Sequence, residues 1–370
     1  MSTRGTIVIA GSLAQRPGYG GHAWVFLQYV HGFRRLGYEV LFLDRLDVPD
    51  AAGTRWIADV LGGIPWSLRC GGETLGMTRR HVLEKVRESV MLLNVMGYLD
   101  DAEILGVAPR RVFLDIDPGF GQMWQALGLA TMFKGHDAYV TIGENIGKPD
   151  CSVPTCGIDW LTTPQPVVLD QWPVRNGASC TTFTTVASWR GPFGPVEYDG
   201  RTYGLRVHEW RKFAALPTAS GQAFDVAMEM DDVDAKDRTL LESNGWRLVD
   251  PRSVAGGIGS YRNFVSGSRA EVMIAKNMYV ATRGGWFSDR SICYLAAGKP
   301  VLAQDTGFSK YHPTGRGLIA FSTPEEAADG VKAINADYSA HCRAAREIAE
   351  AQFDSDKVLT RLLDELEVRP

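Results

Sequence analysis

Apolar positions along this chain alternate between short continuous runs and longer stripes at helical spacing. Residues 6–11 (TIVIAG) form a continuous apolar run that ends in glycine, the pattern of a strand buried on both faces. Residues 22–37 (HAWVFLQYVHGFRRLG) instead place Ala23, Phe26, Leu27, Val30 and Phe33 at helical spacing, and Gly37 stops the stripe. Strand patterns return at 39–46 (EVLFLDRL), 89–95 (SVMLLNV), 110–117 (RRVFLDID) and 137–143 (DAYVTIG). Apolar runs separated by helical stripes predict a parallel sheet covered on both faces.

Between 149 and 180 the pattern breaks, with Pro149, Pro154, Pro164, Pro166 and Pro173 in quick succession. Such a density of proline marks an irregular connection and a domain boundary. The alternation then restarts, with strand patterns at 181–189, 224–230, 246–250, 270–276, 300–306 and 317–321. Helical patterns lie between them, at 203–216 and 289–298, and the tail from Thr323 is almost entirely helical. Thr323 and Glu326 have the spacing of a capping box. The expected architecture is α/β, with two doubly wound Rossmann-like domains facing a cleft. Residues 1–175 make the first domain and 176–350 the second, while 351–370 form a C-terminal helix packing back across the cleft.

Length and composition agree with this division. A chain of 370 residues exceeds what one core usually serves, and 45% hydrophobic with 22% charged residues is ordinary for a globular protein. The net charge of −4 argues against nucleic acid as a partner. No apolar stretch approaches the ~18 residues of a membrane span, and the start runs directly into a strand without a signal-peptide core. A cytoplasmic protein is expected. Its six scattered cysteines read as reduced thiols, and none stands at zinc-ligand spacing, so no metal is expected.

The first stretch with chemical content is PGYGGHAW, residues 17–24, in which Gly18, Gly20 and Ala23 fit the spacing of a dinucleotide-binding turn. Asp44 closes the next strand, where a ribose-binding acid would stand. Against that reading, SLAQRP separates the strand from Gly18, a longer lead-in than a dinucleotide turn has. In either case the amides of Gly20, Gly21 and His22 open a helix and favour an anion or a hydroxyl.

The stronger signal is GGWFSDRSICYLAAGKPVLAQDTGF, residues 284–308. It reads as a glycine loop, a helix capped by Ser288 or Asp289, a Gly-Lys-Pro stop, a strand and a glycine turn. Its first amides suit phosphate oxygens, and Arg290 could add a two-pronged contact. This run resembles the donor-nucleotide segment of GT-B glycosyltransferases, especially the glycogen-synthase-like group. Trp286, Phe287 and Ser288, then Ala297, Gly298, Lys299, Pro300 and Val301, stand in the order of that group's motif. GG opening a long helix followed by LGYEV is similar to its first loop. The group also carries two glutamates, and aligning on Gly298–Lys299–Pro300 puts Gly285 and Cys293 in their places.

The resemblance implies transfer of a sugar from a nucleotide-diphosphate sugar, as co-substrate with no further cofactor, to a hydroxyl of a small natural product or glycan. With the two glutamates absent, donor and diphosphate contacts are expected instead from Ser288, Asp289, Arg290, Asp305 and Thr306, with Gly20, Gly21 and His22 as the facing wall. Developing charge on the leaving diphosphate needs a cation. Arg190, ending the first strand of the second half, is the first choice, ahead of Arg211 and Lys212. His22 and Asp117 are the candidates for the base, since a neutral imidazole at a helix start and a carboxylate at a strand end both face such a cleft. Asp115 is expected on the strand itself, and His136 and Glu144 are further candidates. A GT-B sugar-nucleotide epimerase, an NAD-dependent oxidoreductase and a two-lobed ligand-binding protein are the alternatives.

Overall fold

The computed structural model describes residues 4–174, 180–191 and 193–369. Eight strands form the first sheet: β1 (Thr6–Ala10), β2 (Glu39–Leu46), β3 (Trp66–Cys70), β4 (Glu73–Gly76), β5 (Met91–Val95), β6 (Arg111–Asp115), β7 (Ala138–Thr141) and β8 (Trp160–Thr162). Their order is β4-β3-β2-β1-β5-β6-β7-β8, parallel except for the β3–β4 pair at the edge. The next strands are β9 (Phe183–Ser188), β10 (Val196–Tyr198), β11 (Arg201–Tyr203), β12 (Phe224–Glu229), β13 (Trp246–Val249), β14 (Ala270–Met273), β15 (Val301–Gln304) and β16 (Leu318–Phe321). Six of them make a parallel sheet, β13-β12-β9-β14-β15-β16, while β10 and β11 pair as a separate hairpin.

The strand order reverses beside β1 in the first sheet and beside β9 in the second, and loops that leave such switch points in opposite directions open a crevice. Every residue of β1, β5, β14 and β15 is buried, as continuous apolar runs in a covered parallel sheet require. Each predicted strand is present, and all but the one over 39–46 are shortened, by up to three residues, as frayed ends usually are. Residues 203–216 do not form one helix. Tyr203 ends β11, the helix Arg206–Trp210 runs into a 3₁₀ turn, and a new helix, Leu216–Ser220, starts with Pro217 in its first turn.

The two sheets are joined by close packing of the helix Gly20–Arg35 against the second half. A Cβ on Gly20 would lie 2.2 Å from the carbonyl oxygen of Gly257, so only glycine allows the backbones to touch. Trp24 donates its indole N–H to Ile258 O at 2.9 Å and packs against the buried Trp172 at 4.9 Å between ring centroids. The C-terminal helix, Ser355–Glu365, lies on the same helix, with Leu359 filling the space a side chain on Gly32 would need. The expected boundary at 175/176 lies outside the described residues. Among those described, no helix is long and apolar enough to cross a membrane.

Candidate active site

The C-terminal ends of both sheets meet at one place. After β1 the chain makes a loop, residues 11–19, that is built around Asp44. The Asp44 carboxylate accepts the amides of Ala14 at 2.7 Å and Arg45 at 2.6 Å. Burial pushes its pKa up to about 7, with those amides pulling the other way. The acid that could have held a ribose is therefore turned onto its own loop.

Ser12 in that loop holds His22. The imidazole Nε2 lies 3.1 Å from Ser12 O and 3.2 Å from Ser12 Oγ, and the ring meets Phe26 edge-on at 5.1 Å. A carbonyl only accepts, so Nε2 carries the proton and Nδ1 keeps the lone pair. Burial lowers the His22 pKa to about 4, which leaves it neutral at pH 7. The close approach that Gly20 and Gly21 permit is made by protein: Gly257 meets the first and the Tyr261 ring the second. Their amides still form the positive end of a 16-residue helix.

Across the crevice, Lys276 follows β14 and reaches the first half. Its Nζ donates to both oxygens of Asp117, at 2.8 and 3.1 Å, and to Tyr279 Oη at 3.1 Å. The Tyr279 hydroxyl donates in turn to Asp117. The rings of Phe120, Phe193 and Tyr279 surround the ammonium at 5.0 to 5.9 Å. Beside this cluster lies Arg206, only 8% exposed. Its guanidinium donates to Ser188 O at 2.8 Å, its Nε has no partner, and no carboxylate pairs with it among the described residues. Burial, and then the like charge of Arg290, lower its pKa to about 10.

The second glycine loop meets the same point. Ser288 caps the helix Asp289–Ala296, its Oγ accepting the Arg290 amide at 3.2 Å. Arg290 is buried and donates to Glu271 at 2.5 Å and to Val186 O at 2.8 Å. Asp289 is partly exposed, within electrostatic reach of Arg206 and Asp117.

No family model and no curated protein matches the sequence. Solved structures do match along the whole chain. Anabaena HepE in complex with UDP and glucose is 13% identical, with a TM-score of 0.59, covering 99% of this chain and 100% of its own. Sucrose-phosphate synthase from Thermosynechococcus elongatus is 11% identical at a TM-score of 0.55, covering 98% and 99%. AviGT4, a glycosyltransferase involved in avilamycin A biosynthesis, is 12% identical at 0.55, covering 97% and 96%. The fold is GT-B.

Within this GT-B fold the expected site residues separate. His22 and the amides of Gly20 and Gly21 stand at the start of the helix after β1, Asp117 follows β6, and Asp289 opens the helix Asp289–Ala296. Arg190 does not extend into the crevice freely, because its guanidinium forks onto the buried Asp234 at 2.5 to 3.1 Å. Arg290 is not free for a phosphate either, because its guanidinium pairs with the fully buried Glu271. The Thr306 hydroxyl is fully buried and donates to Trp286 O at 2.5 Å. Asp305 accepts from the Gly307 amide and the Ser309 hydroxyl, both at 2.9 Å, and so shapes its own turn. Arg211 and Lys212 pair with Asp237 and Glu209.

Sequence reading missed Arg206, Lys276 and Tyr279. Lys276 carried a signal, as the charged residue that ends the apolar run of 270–276. Arg206 carried none, since its isolation depends on which acids its neighbours take. The structure also explains the two missing glutamates. Gly285 has a φ of +76°, and a Cβ there would lie 2.6 Å from the Asn145 amide nitrogen. Cys293 is 1% exposed, beneath Gln28 and against Asp289 O.

Proposed function

We propose that this chain is a glycosyltransferase that moves a sugar from a nucleotide-diphosphate sugar to a hydroxyl acceptor. The observation that carries this reading is Arg206, a buried cation with no carboxylate partner among the described residues, where the C-terminal ends of both sheets converge. A buried unpaired charge is costly unless a ligand completes it, and a diphosphate is the dianionic group that a GT-B cleft accommodates.

In this scheme Arg206 and Lys276 offset the charge that builds on the leaving diphosphate, in a site already shielded from water. The starts of the two helices at Gly20 and Ser288 add amides aimed at the same region. His22, neutral and with its lone pair on Nδ1, takes the acceptor proton. Asp117 holds Lys276 until the donor arrives and then faces the acceptor. The half built on β1–β8 receives the acceptor, and the half built on β9 and β12–β16 the donor. The likeness to AviGT4 supports a small natural product as the acceptor.

Thermal unfolding with UDP, dTDP, GDP and NAD tests the reading. UDP is the first probe because HepE binds it. A nucleoside diphosphate should raise the melting temperature, and Arg206→Met should remove most of that shift. Stabilisation by NAD alone would overturn the proposal. Turnover of a sugar nucleotide without any acceptor would identify an epimerase instead.

A further inference from the structure

The second glycine loop is held in place by the opposite half of the molecule. After β7 the chain runs through residues 142–152, and this segment donates to three consecutive carbonyls of the second half. The Ser152 amide donates to Thr282 O at 3.0 Å, Asn145 Nδ2 to Arg283 O at 2.8 Å, and the Asn145 amide to Gly284 O at 3.0 Å. Gly143 bridges Trp286 in antiparallel register just beyond them. Carbonyls that end a helix have no partner within it, and those after the helix Asn277–Thr282 find theirs across the interface.

Asn145 is the centre of this contact and is 1% exposed. Its side chain also donates to Asp150 at 3.2 Å, and its side-chain carbonyl accepts the Tyr311 hydroxyl at 2.7 Å, so the whole amide group is engaged. Facing it are two residues in the left-handed region, Arg283 at a φ of +52° and Gly285 at +76°. An arginine seldom adopts that conformation, and the two bonds from Asn145 fall on Arg283 O and Gly284 O, where they hold it. The loop then shapes the site. Trp286 stacks on Tyr279 at 4.2 Å between centroids, Tyr279 donates to Asp117, and two residues after Trp286 the Ser288 side chain caps the helix Asp289–Ala296.

We infer that Asn145 is a positioning residue: from the first half it fixes the glycine loop of the second half in the shape that receives the nucleotide diphosphate. This rests on the glycosyltransferase reading above. By linkage, a bound nucleotide must tighten the contact at Asn145 by the same factor as that contact improves nucleotide binding.

Calorimetric titration of the whole protein with UDP, dTDP and GDP, and hydrogen exchange of the amides in 143–147 with the diphosphate that binds tightest, test the inference. Asn145→Ala leaves Arg283 O without its donor and should weaken binding by about tenfold or more. Tyr311→Phe removes one bond to Asn145 and keeps the ring, and should weaken binding by about threefold. Thr323→Ala, which removes a helix cap elsewhere in the second half, is the control and should bind as the wild type does. In the wild type the diphosphate should slow exchange over 143–147, and in Asn145→Ala that slowing should vanish even at saturation. Affinities equal to the control in both variants, or equal slowing in Asn145→Ala, would overturn the inference and leave the glycosyltransferase reading in place. If Asn145→Ala does not fold, Tyr311→Phe decides by the same comparison. If the wild type binds no nucleoside diphosphate, both readings fail.

Discussion

His22 shows how burial alone gives a side chain its character. Its pKa is near 4 in the fold against 6.5 in an unfolded chain. Between those values the unfolded chain binds a proton that the folded chain refuses. The stability this residue contributes is therefore present above pH 6.5 and is lost as the pH falls toward 4, by about 3 kcal/mol in full. Urea unfolding at pH 7 and pH 4.5 should show a smaller decline in His22→Gln than in the wild type. Gly285 is a second residue-scale case. Gly285→Ala places a Cβ against the Asn145 amide at a positive φ, and should cost about 2 kcal/mol or more in chemical denaturation. Nothing around Gly285 in the sequence announces this, because Asn145 comes from the other sheet.

At the scale of elements, periodicity carried most of the information. The stripe over 22–37 became the helix Gly20–Arg35, and the Thr323–Glu326 pair caps the helix Pro324–Ala336 reciprocally. Thr323→Ala should cost about 1 kcal/mol, read as a lower urea midpoint. The β10–β11 hairpin was missed, although Asp199 and Gly200 are the turn pair with positive φ that such hairpins favour. Its strands of three residues are too short for periodicity to register. The break in 203–216 was also hidden, since a helical stripe does not show that Gly204 is fixed by Asn277 from a distant helix.

For the molecule as a whole, stability and binding draw on the same charges in opposite directions. Arg206→Met exchanges an unpaired buried cation for an apolar chain of similar length. Its melting temperature should equal or exceed that of the wild type, while nucleoside-diphosphate affinity falls about tenfold or more. Loss of both together would mean that Arg206 is a scaffold residue. In the wild type, a nucleoside diphosphate at a hundred times its Kd should add about 2.7 kcal/mol to stability, measurable as a ligand-dependent shift in the unfolding midpoint. Lys276→Met should weaken the same binding and free Asp117, with the loss greater at low salt than at high salt.

The sequence by itself determined the alternation of strands and helices, the two glycine loops and the absence of acids at Gly285 and Cys293. Those features are local, set by side-chain periodicity and by backbone conformations that few residues adopt. Only the tertiary structure decided which charges remain for chemistry. Arg290, Arg190 and Arg206 look alike along the chain, yet Glu271 and Asp234 engage the first two, while no carboxylate among the described residues pairs with the third. Lys276 meets Asp117 across a sequence separation of 159 residues. Pairing over such distances follows from how the two sheets pack, and sequence spacing does not encode it.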